Sequence, residues 1–453
     1  MRDASSSILL TDLYMLTMLE AFHRQSMHGM ASYEFFVRKL PENRGFLVAA
    51  GLEQVLQYLE NAHFAPEELD WLRRTGRFSP DFIHHLARWR FAGDVDAMPE
   101  GTIFFANEPV LRITAPISQA QLVESRLVNL LNFQTMIASK ATRCVLAADK
   151  RTLVDFGLRR AHGAEAGLLA SRASYLSGFD GTATVLAGML FDIPIYGTMA
   201  HAYVLAHEDE QSAFESFARA QPANVVLLID TYDTANGARI VVDLAPRLQQ
   251  SGIAVKAVRV DSGDPYAEAQ KVRRILDEGG LHRVGIFCSG NLDEVRVRDL
   301  VQANAPITGF GIGTRLDTSE DAPSLESVYK LVEYEGKPRR KHSEAKATWP
   351  GRKQVFRQYT IDGRMQWDTV TVEGNIQEGQ PLLEPVLRGG NPVRPADSLS
   401  RIRERCTRQL AQLPEHLRAL GTEPIYEVRI SAELTALARQ TDEAIFSRKS
   451  SVE

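Results

Sequence analysis

The sequence of 453 residues has little cysteine, no excess of basic residues and no long apolar run. Its three cysteines, Cys144, Cys288 and Cys406, lie far apart and form no Cys-x-x-Cys pair, which argues against a disulfide framework and against a zinc knuckle. A reducing cytoplasm is therefore the expected location. The formal net charge of −5 argues against a nucleic-acid partner, because proteins that bind nucleic acid usually carry a strong basic excess.

A membrane partner is not expected either, because no apolar run approaches the ~18 residues of a membrane-spanning helix. An apolar N-terminal stretch, residues 8–22, is interrupted by Asp12 and Glu20. Asp3 stands where a signal peptide would carry basic residues, so we expect no signal peptide.

The length predicts two to three domains, and the composition of the chain changes near residues 150 and 335. We predict an α+β domain over residues 1–150 and an α/β barrel over residues 151–335. Residues 336–453 are expected to supply short antiparallel strands, which join the N-terminal domain, and a helical tail.

Short apolar runs recur after residue 150 at intervals of ~20–40 residues, which is about the length of a βα unit. Near-continuous apolar strands that alternate with helices are typical of a parallel sheet covered on both faces. This pattern favours a closed or nearly closed (β/α) barrel over an open sheet. The runs are Thr152–Phe156, Ile193–Tyr196, Val225–Ile229, Val255–Val260, Val284–Cys288, Ile307–Ile312 and Val328–Tyr334.

Functional residues of such a barrel are expected in the loops that follow the carboxyl ends of the strands. One of these loops is basic, one contains a histidine, two are acidic and two are rich in glycine or serine. Together they suit a polyphosphorylated sugar. The loops are residues 157–160, 197–201, 230–233, 261–264, 289–291 and 311–315.

Each loop also has an ordinary structural explanation. Glycines let backbone N–H groups approach a phosphate, but they also allow tight packing of a strand against a helix. Aspartates at positions 230, 233, 261 and 264 can bind ribose hydroxyls or Mg²⁺, or stabilise a cationic transition state, but aspartate also caps helices. His201 can act as a general base or accept a phosphoryl group, or it can be a structural histidine. Arg159 and Arg160 can bind a carboxylate or phosphate, or form surface ion pairs. The basic segment 337–353 either faces an anionic ligand or is a solvated surface.

In order along the chain, these residues resemble the nicotinate phosphoribosyltransferase family. The resemblance extends from residue 9 to residue 357, and blocks of this length and order are far more specific than any single motif. The matching blocks are LLTDLYMLTM (9–18), FFVRKLPENRGFLVAAGLE (35–53), NFQTMIASKATR (132–143), DFGLRRAHGAEAG (155–167), SYLSGFDGTATVLAG (174–188), IPIYGTMAHAYV (193–204), LLIDTYDT (227–234), VRVDSGD (258–264), TGFGIGT (308–314) and KHSEAKATWPGRKQVFR (341–357).

The resemblance implies an enzyme that joins nicotinate to 5-phosphoribosyl 1-diphosphate, giving nicotinate mononucleotide and diphosphate, with Mg²⁺ as cofactor. It also implies that ATP hydrolysis is coupled through a phosphohistidine, which the motif GTMAHAYV places at His201. The implied fold is that of type II phosphoribosyltransferases, an irregular α/β barrel with a mostly β satellite domain. The implied assembly is a homodimer whose active sites contain residues from both subunits.

The resemblance also assigns roles to individual residues. Phe156 would stack on one face of the pyridine ring, and Tyr14 of the partner chain would cover the other. Arg159 and Arg259 would neutralise the carboxylate and a nearby phosphate, with Arg160 as a further candidate. Asp230 and Asp261 would bind ribose hydroxyls and Mg²⁺. Gly290, Gly311 and Gly313 would cradle the 5-phosphate, and Ser289 and Thr314 are further substrate-binding candidates.

A related enzyme that uses nicotinamide is the main alternative. It carries an aspartate two residues after the glycine of its FKGTD block, to receive the amide N–H₂, and this chain has Ala183 at that position. Ala183 does not repel a carboxylate, which favours the acid over the amide.

The chain departs from the family at one motif position: the family often has serine after the motif histidine, where this chain has Ala202. A non-catalytic phosphosugar-binding barrel is a further alternative. An unrelated barrel lyase has no support, because no strand end presents a suitable Schiff-base lysine.

Overall fold

The computed structural model describes residues 6–343, 347–420 and 426–450. Contacts group these residues into two compact units. One unit is Ile137–Pro323, and the other combines the described residues up to Met136 with those from Ser324 onward. The domain boundaries predicted after residues 150 and 335 stay predictions, because a grouping by contacts does not define domains that fold independently.

The N-terminal part of the chain contains six helices and five strands within its described residues, and it ends in a long helix that enters the second unit. The last two helices of this part, α5 and α6, are separated only by Val123. The elements are α1 Leu13–Arg24, β1 Met30–Val37, β2 Leu47–Val48, α2 Leu52–Asn61, α3 Pro66–Arg74, α4 Pro80–Ala87, β3 Asp94–Ala97, β4 Ile103–Phe104, β5 Leu111–Pro116, α5 Ile117–Leu122 and α6 Glu124–Ala148.

The unit Ile137–Pro323 alternates strands with helices, as predicted. A single 3-10 turn, Leu158–Arg160, follows its first strand. The elements are β6 Thr152–Asp155, α7 Ala164–Leu176, β7 Gly181–Thr182, α8 Val185–Phe191, α9 His201–Leu205, α10 Glu210–Ala220, β8 Val225–Leu228, α11 Thr234–Gln250, β9 Val255–Val260, α12 Pro265–Glu278, β10 Gly285–Ser289, α13 Glu294–Gln302, β11 Gly309–Ile312 and α14 Thr314–Asp317.

The six strands of this unit form one parallel sheet in the order β7-β6-β11-β10-β9-β8. Val154, Val258, Ile286 and Phe310 on its four central strands are fully buried, as expected for a parallel sheet covered by helices. The sheet is curled but does not close, so it is a half-barrel. This arrangement agrees with the irregular α/β barrel that the resemblance implies.

Two of the seven predicted barrel strands are placed differently by the structure. The prediction for Val328–Tyr334 was wrong, because this run lies in strand Ser327–Tyr334, which pairs antiparallel with β1 in the other unit. Ile193–Tyr196 contributes only a single bridge, from Ile195 to Thr182. The two-residue strand β7 was missed because Gly181-Thr182 has no apolar run.

The C-terminal part of the chain is mostly β. Its elements are β12 Ser327–Tyr334, β13 Lys337–Pro338, β14 Lys353–Tyr359, β15 Met365–Val372, β16 Gln380–Pro381, β17 Glu384–Arg388, β18 Asn391–Pro392, α15 Leu399–Gln412, α16 Glu415–Arg418, β19 Val428–Ile430 and α17 Ala432–Ser450. A seven-stranded sheet has the order β13-β12-β1-β5-β3-β17-β18, so it combines strands from both ends of the chain. A four-stranded sheet, β16-β14-β15-β19, and the pair β2-β4 complete this mostly β unit.

Part of the basic segment 337–353 has a structural role. Lys353 is buried and forms an ion pair with Glu34 at 2.8 Å. Arg340 pairs with Asp442 at 3.1 Å. Residues 344–346 of this segment, which include Lys346, lie outside the described residues. The expectation that the segment faces an anionic ligand stays a prediction.

Candidate active site

Polar side chains meet where neighbouring strands of the half-barrel end. Strands β8, β9 and β10 are adjacent and parallel, so the loops that follow them lie at the same edge of the sheet. These loops bring Asp230, Asp261 and Ser289 together, and hydrogen bonds join them to one another. The predicted convergence of the strand-end loops is therefore present for this part of the site.

Arg259, on strand β9, is the centre of the polar cluster. Its Nε donates to Ser289 Oγ at 2.9 Å, and its Nη2 donates to Asp261 Oδ1 at 2.8 Å. Its Nη1 lies 3.4 Å from Thr198 Oγ1. The guanidinium carbon is 5.3 Å from the centre of the Phe156 ring. The cation of Arg259 can therefore attract the charge of a flat anionic ligand while the Phe156 ring stacks on the ring of that ligand.

Asp261 is held as a carboxylate. Partial burial raises its pKa, but hydrogen bonds from Ser289 and Arg259 and the charge of Arg259 outweigh that effect, so the pKa lies below its ordinary value. Oδ1 accepts from Ser289 at 2.5 Å and from Arg259. Oδ2 lies 4.0 Å from His201 Nε2. The site thus keeps one negative charge at this point throughout the neutral pH range.

Asp230 lies behind Asp261 and is almost completely buried, with its side chain 1% exposed. Its Oδ2 accepts from the Asp261 backbone N–H at 2.8 Å and from the Ser262 hydroxyl at 2.6 Å. Its Oδ1 has no hydrogen-bond partner among the described residues and lies 4.0 Å from His201 Nε2. A buried carboxylate oxygen without a donor is unusual, and it is free to bind a hydroxyl group or a cation.

His201 begins the short helix α9 and is 40% exposed. Its Nδ1 lies 3.2 Å from the Thr231 hydroxyl, while its Nε2 faces the two carboxylates of Asp230 and Asp261. The ring is therefore oriented by Thr231 on one side and leaves its other nitrogen open toward the site. Ala202, where the family often has serine, makes no such contact in this structure, and Thr231 supplies the hydroxyl.

Glu210 is a carboxylate near the site that sequence reasoning missed. It begins helix α10 and is only 4% exposed. Burial, together with the charges of Asp233 and Asp230, raises its pKa to about 7. The sequence offers no signal for this, because a glutamate in the first turn of a helix is normally solvated.

The four aspartates of the acidic loops divide into two pairs. Asp233 and Asp264 cap the helices α11 and α12, accepting from Asn236 N at 2.7 Å and Ala267 N at 3.1 Å. For these two the structural explanation is correct. Asp230 and Asp261 cap no helix and lie in the polar cluster.

The predicted phosphate-binding glycines lie in two different settings. Gly290 has a φ of 93°, and a side chain there would collide with the Asp261 backbone oxygen. Gly313 precedes α14, with Thr314 exposed as the first residue of that helix. Gly311 is buried in strand β11, and a side chain there would collide with the Phe156 ring. Gly311 therefore makes room for that ring, and its contact with phosphate stays a prediction.

A cavity of about 690 Å³ adjoins the cluster. It is lined by Asp261, Ser262, Gly263, Pro265, Gly290, Asn291, Asp293, Val295, Arg296, Asp299 and Arg315. Arg315 pairs with Asp293 at 2.5 Å, which caps helix α13. Glu294, the next residue, is buried and binds Lys140 at 2.5 Å and Arg143 at 3.0 Å. These ion pairs fix the start of α13 beside the Ser289-Gly290 loop.

Arg159 and Arg160 lie in the exposed turn after Phe156. Both side chains are exposed to solvent, and their predicted binding of a carboxylate or phosphate stays a prediction. Tyr14 belongs to the other unit, where it is exposed on α1, and its predicted place over the pyridine ring stays a prediction.

Ala183, the residue expected to favour the acid, is exposed directly after β7, and its N–H donates to the Asp155 carbonyl at 2.8 Å.

Three hydroxyl groups that complete the cluster were also missed: Thr198, Thr231 and Ser262. Each stands in one of the strand-end loops 197–201, 230–233 and 261–264. The signal was therefore present, but a hydroxyl in a loop is too common to be chosen without knowing which side chain it faces.

The described residues include no group of three or more histidine, cysteine, aspartate or glutamate side chains that could hold a metal ion by itself. In the part of the chain that the structure describes, no helix is both long and apolar enough to cross a membrane.

The fold and the site define a half-barrel α/β protein whose strand ends present a fixed cation, two carboxylates and glycine loops. Family models match three consecutive parts of the chain: the nicotinate phosphoribosyltransferase N-terminal domain over residues 9–132, the family itself over 151–358 and its C-terminal domain over 372–438. The chain belongs to the nicotinate phosphoribosyltransferase family.

Individual relatives agree with this assignment. The nicotinate phosphoribosyltransferase pncB2 of Mycobacterium tuberculosis is 46% identical over 434 residues, which are 95% of this chain and 93% of the relative. The nicotinate phosphoribosyltransferase of Bacillus subtilis is 39% identical over 359 residues, 77% of this chain and 72% of the relative. The crystal structure of human nicotinic acid phosphoribosyltransferase has a TM-score of 0.85 at 28% identity, covering 95% of this chain and 99% of that chain. The family and the α/β fold class predicted from the sequence are confirmed.

Proposed function

We propose that this chain transfers the phosphoribosyl group of 5-phosphoribosyl 1-diphosphate to nicotinate, forming nicotinate mononucleotide and diphosphate as a step of NAD synthesis. The observation that carries the proposal is the guanidinium of Arg259, fixed by Ser289 and Asp261 beside the Phe156 ring. This pair can bind the two features that define nicotinate, a flat ring and a negative charge.

The reaction is a substitution at C1 of the ribose, in which the diphosphate leaves and the pyridine nitrogen attacks. The transition state resembles an oxocarbenium ion, so no strong protein nucleophile is needed. Phe156 and Arg259 orient the ring and neutralise its carboxylate. The carboxylates of Asp230 and Asp261 bind ribose hydroxyls and stabilise the positive charge that develops at the sugar. Arg159 and Arg160 remain available for the carboxylate or a phosphate.

Mg²⁺ is proposed as the cofactor, bound mainly through the substrate diphosphate. The residues present fit it, because Asp230 has a buried oxygen without a hydrogen-bond donor and Asp261 carries a stable charge beside it. Mg²⁺ commonly binds through one or two carboxylates together with substrate phosphates. When bound, it neutralises the leaving diphosphate.

We propose that ATP is a co-substrate whose γ-phosphoryl group passes to Nε2 of His201, with ADP as the leaving group; later hydrolysis of the phosphohistidine releases phosphate. The open Nε2 of His201 and the orientation of the ring by Thr231 support this role. Phosphorylation of the histidine is a separate covalent step, and it would shift an otherwise poorly favourable equilibrium toward the product.

The substitution His201→Ala is expected to abolish stimulation by ATP while slow, ATP-independent synthesis remains, since His201 does not take part in the substitution at C1. Initial rates with and without ATP measure this, and labelled ATP followed by a search for acid-labile phosphate locates the modified residue. His282→Ala is the matched control. His282 is 71% exposed and comes before the amino end of strand β10, whereas the site lies at the carboxyl ends of the strands. Loss of both activities in a folded His201→Ala protein would instead assign His201 a direct catalytic role.

A homodimer with shared active sites is proposed on the basis of two exposed apolar surfaces. Helix α8 exposes Val185, Leu186, Met189 and Leu190, which its helical spacing places on one side. In the other unit, Leu10, Leu13 and Tyr14 are exposed. Apolar surfaces of this kind mark interfaces with partners, and Tyr14 would then reach the ring bound by the second chain.

Co-expression of two impaired variants, Tyr14→Ala and Arg259→Met, tests whether the sites are shared. Each mixed dimer would contain one site with both natural residues, so about a quarter of the wild-type activity is expected after statistical mixing. The same variants expressed separately are the controls. If Tyr14 and Arg259 of one chain served the same site, every site in the mixture would carry one substitution. Activity no higher than the mean of the two separate variants would therefore contradict shared active sites.

The cytoplasm is proposed as the location, since Cys144, Cys288 and Cys406 are all buried and unpaired.

A nicotinamide-using enzyme is the second candidate for the activity. The exposed Ala183 argues against it, because no carboxylate stands there to receive an amide.

The proposed reaction is tested by incubating the purified full chain with nicotinate, 5-phosphoribosyl 1-diphosphate, ATP and Mg²⁺. Nicotinate mononucleotide and diphosphate are expected in equal amounts, and chromatography measures both. Asp261→Asn is expected to reduce both together. Binding of the phosphosugar without any product would contradict the proposal and favour a non-catalytic binding protein.

A further inference from the structure

Two buried carboxyl groups lie beneath the candidate site, and the proposed mechanism uses neither. Asp155 ends strand β6 and Asp317 ends helix α14, and neither is exposed to solvent. Asp155 immediately precedes Phe156, while Asp317 follows the predicted phosphate loop Gly311–Thr314 by a few residues. The pair therefore lies between the loop that begins at Phe156 and the predicted phosphate loop Gly311–Thr314.

Asp155 accepts three hydrogen bonds, which leaves room for one more. Its Oδ1 accepts from the Gly157 backbone N–H at 2.8 Å. Its Oδ2 accepts from the hydroxyls of Ser171 and Thr182, each at 2.8 Å. Asp155 is therefore the member of the pair that already accepts hydrogen bonds, and its Oδ1 has only one donor.

Asp317 has the opposite surroundings. No donor among the described residues contacts either of its carboxyl oxygens. Its carboxyl packs so closely on Gly157 that a side chain at that glycine would collide with it, and the N–H of the same glycine donates to Asp155, so the two carboxyl groups lie on either side of Gly157. Burial, and then the charge of Asp155, raise the pKa of Asp317 well above its ordinary value.

Other charged groups do not reverse this rise in the pKa of Asp317. On the elements packed against Asp317, these are Asp155 on β6, Arg159 and Arg160 in the exposed turn, Glu165 and Arg172 on α7, and Arg315 on α14 itself. Of these, Asp155 is the charge that shifts the titration of Asp317. A second negative charge here would lack both water and a donor, whereas a single proton between the carboxyls removes the repulsion.

We propose that Asp317 is a positioning residue: its carboxyl keeps a proton and donates it to Asp155 as a hydrogen bond, which holds the Phe156 loop against the phosphate loop. The backbone supports the same connection, since Phe156 N–H donates to the Ile312 carbonyl at 2.8 Å and Asp317 N–H donates to the Gly313 carbonyl at 3.1 Å. Loss of the shared proton would loosen the placement of the Phe156 ring and of the phosphate loop together.

The substitutions Asp317→Asn and Asp317→Ala separate this role from simple packing. The asparagine amide can donate to Asp155 without carrying a proton that titrates, whereas alanine removes the donor. In the kinetic test, which rests on the proposed function, Asp317→Asn is expected to keep KM for both substrates within about threefold of wild type at neutral pH. Asp317→Ala is expected to raise both KM values about 10- to 100-fold. Wild type is expected to lose activity at alkaline pH through Asp317, and Asp317→Asn is expected to lack that loss.

Thermal unfolding tests the same inference without substrate. The folded state holds the Asp317 proton at pH values where the unfolded state has lost it, so this group makes the wild type less stable as pH rises. The unfolding temperature of Asp317→Asn minus that of wild type should therefore increase between about pH 6 and about pH 9. Asp243→Asn, an exposed change on α11, is the matched control and should give a constant difference.

A pH-independent difference for Asp317→Asn, or kinetic damage equal to that of Asp317→Ala, would overturn the inference. If the wild type makes no nicotinate mononucleotide, the proposed function fails, but the unfolding comparison still decides the state of Asp317. If Asp317→Ala does not fold, Asp317→Asn against wild type supplies both tests.

Discussion

Replacing Arg259 by methionine is expected to lower kcat/KM for nicotinate about 10²- to 10³-fold, the range found when a fixed donor to a developing or bound negative charge is removed. Methionine keeps much of the side-chain volume but carries no charge. It also leaves Asp261 without the guanidinium that binds it at 2.8 Å. The loss should therefore appear both in the affinity for nicotinate and in the chemical step.

Initial rates at varied nicotinate and varied 5-phosphoribosyl 1-diphosphate measure this effect. The matched control is Arg274→Met on the exposed side of helix α12, which should leave the kinetics unchanged. A change of less than about threefold in Arg259→Met would mean that another cation, such as Arg159 or Arg160, neutralises the carboxylate. The central position assigned to Arg259 would then be wrong.

The second large effect is expected from Ala183→Asp. Ala183 follows strand β7 and is anchored by its N–H to the carbonyl of Asp155, one residue before Phe156. An aspartate there would place a negative charge near the carboxylate of bound nicotinate, and the repulsion between close like charges is expected to lower kcat/KM about 10²-fold, or about 3 kcal/mol. Nicotinamide carries no charge and should lose much less.

The ratio of kcat/KM for the two bases, measured in the same preparation, reports the change. Ala183→Asn is the isosteric control, because it has the size of aspartate without its charge. If Ala183→Asn and Ala183→Asp reduce the use of nicotinate equally, then the effect is steric, and Ala183 does not determine the choice between acid and amide.

Local patterns predicted most of the strands of the half-barrel but not their partners. Val328–Tyr334 has the apolar composition of a barrel strand, yet β12 pairs with β1 near the other end of the chain. Composition cannot distinguish these cases, because pairing depends on contacts between residues distant in sequence. The strand β7 has the reverse problem, since Gly181 and Thr182 carry no pattern and are held by the neighbouring strand β6.

The site was predictable to the extent that its residues stand at strand ends. Asp230 and Asp261 were selected for that reason, and so were Asp233 and Asp264, which cap helices instead. The two pairs can be distinguished only by their hydrogen bonds, which the sequence does not show. Glu210 and Asp317 were missed because their importance lies in burial, and a single sequence does not reveal which acidic side chains are buried.

The most direct test of the central claim is a competition between nicotinate and nicotinamide for the same enzyme, with 5-phosphoribosyl 1-diphosphate saturating. If a cation fixed beside Phe156 selects an anionic pyridine, nicotinate mononucleotide should be by far the main product even when nicotinamide is in excess. Equal use of the two bases, or preference for nicotinamide, would contradict the role given to Arg259 and Ala183.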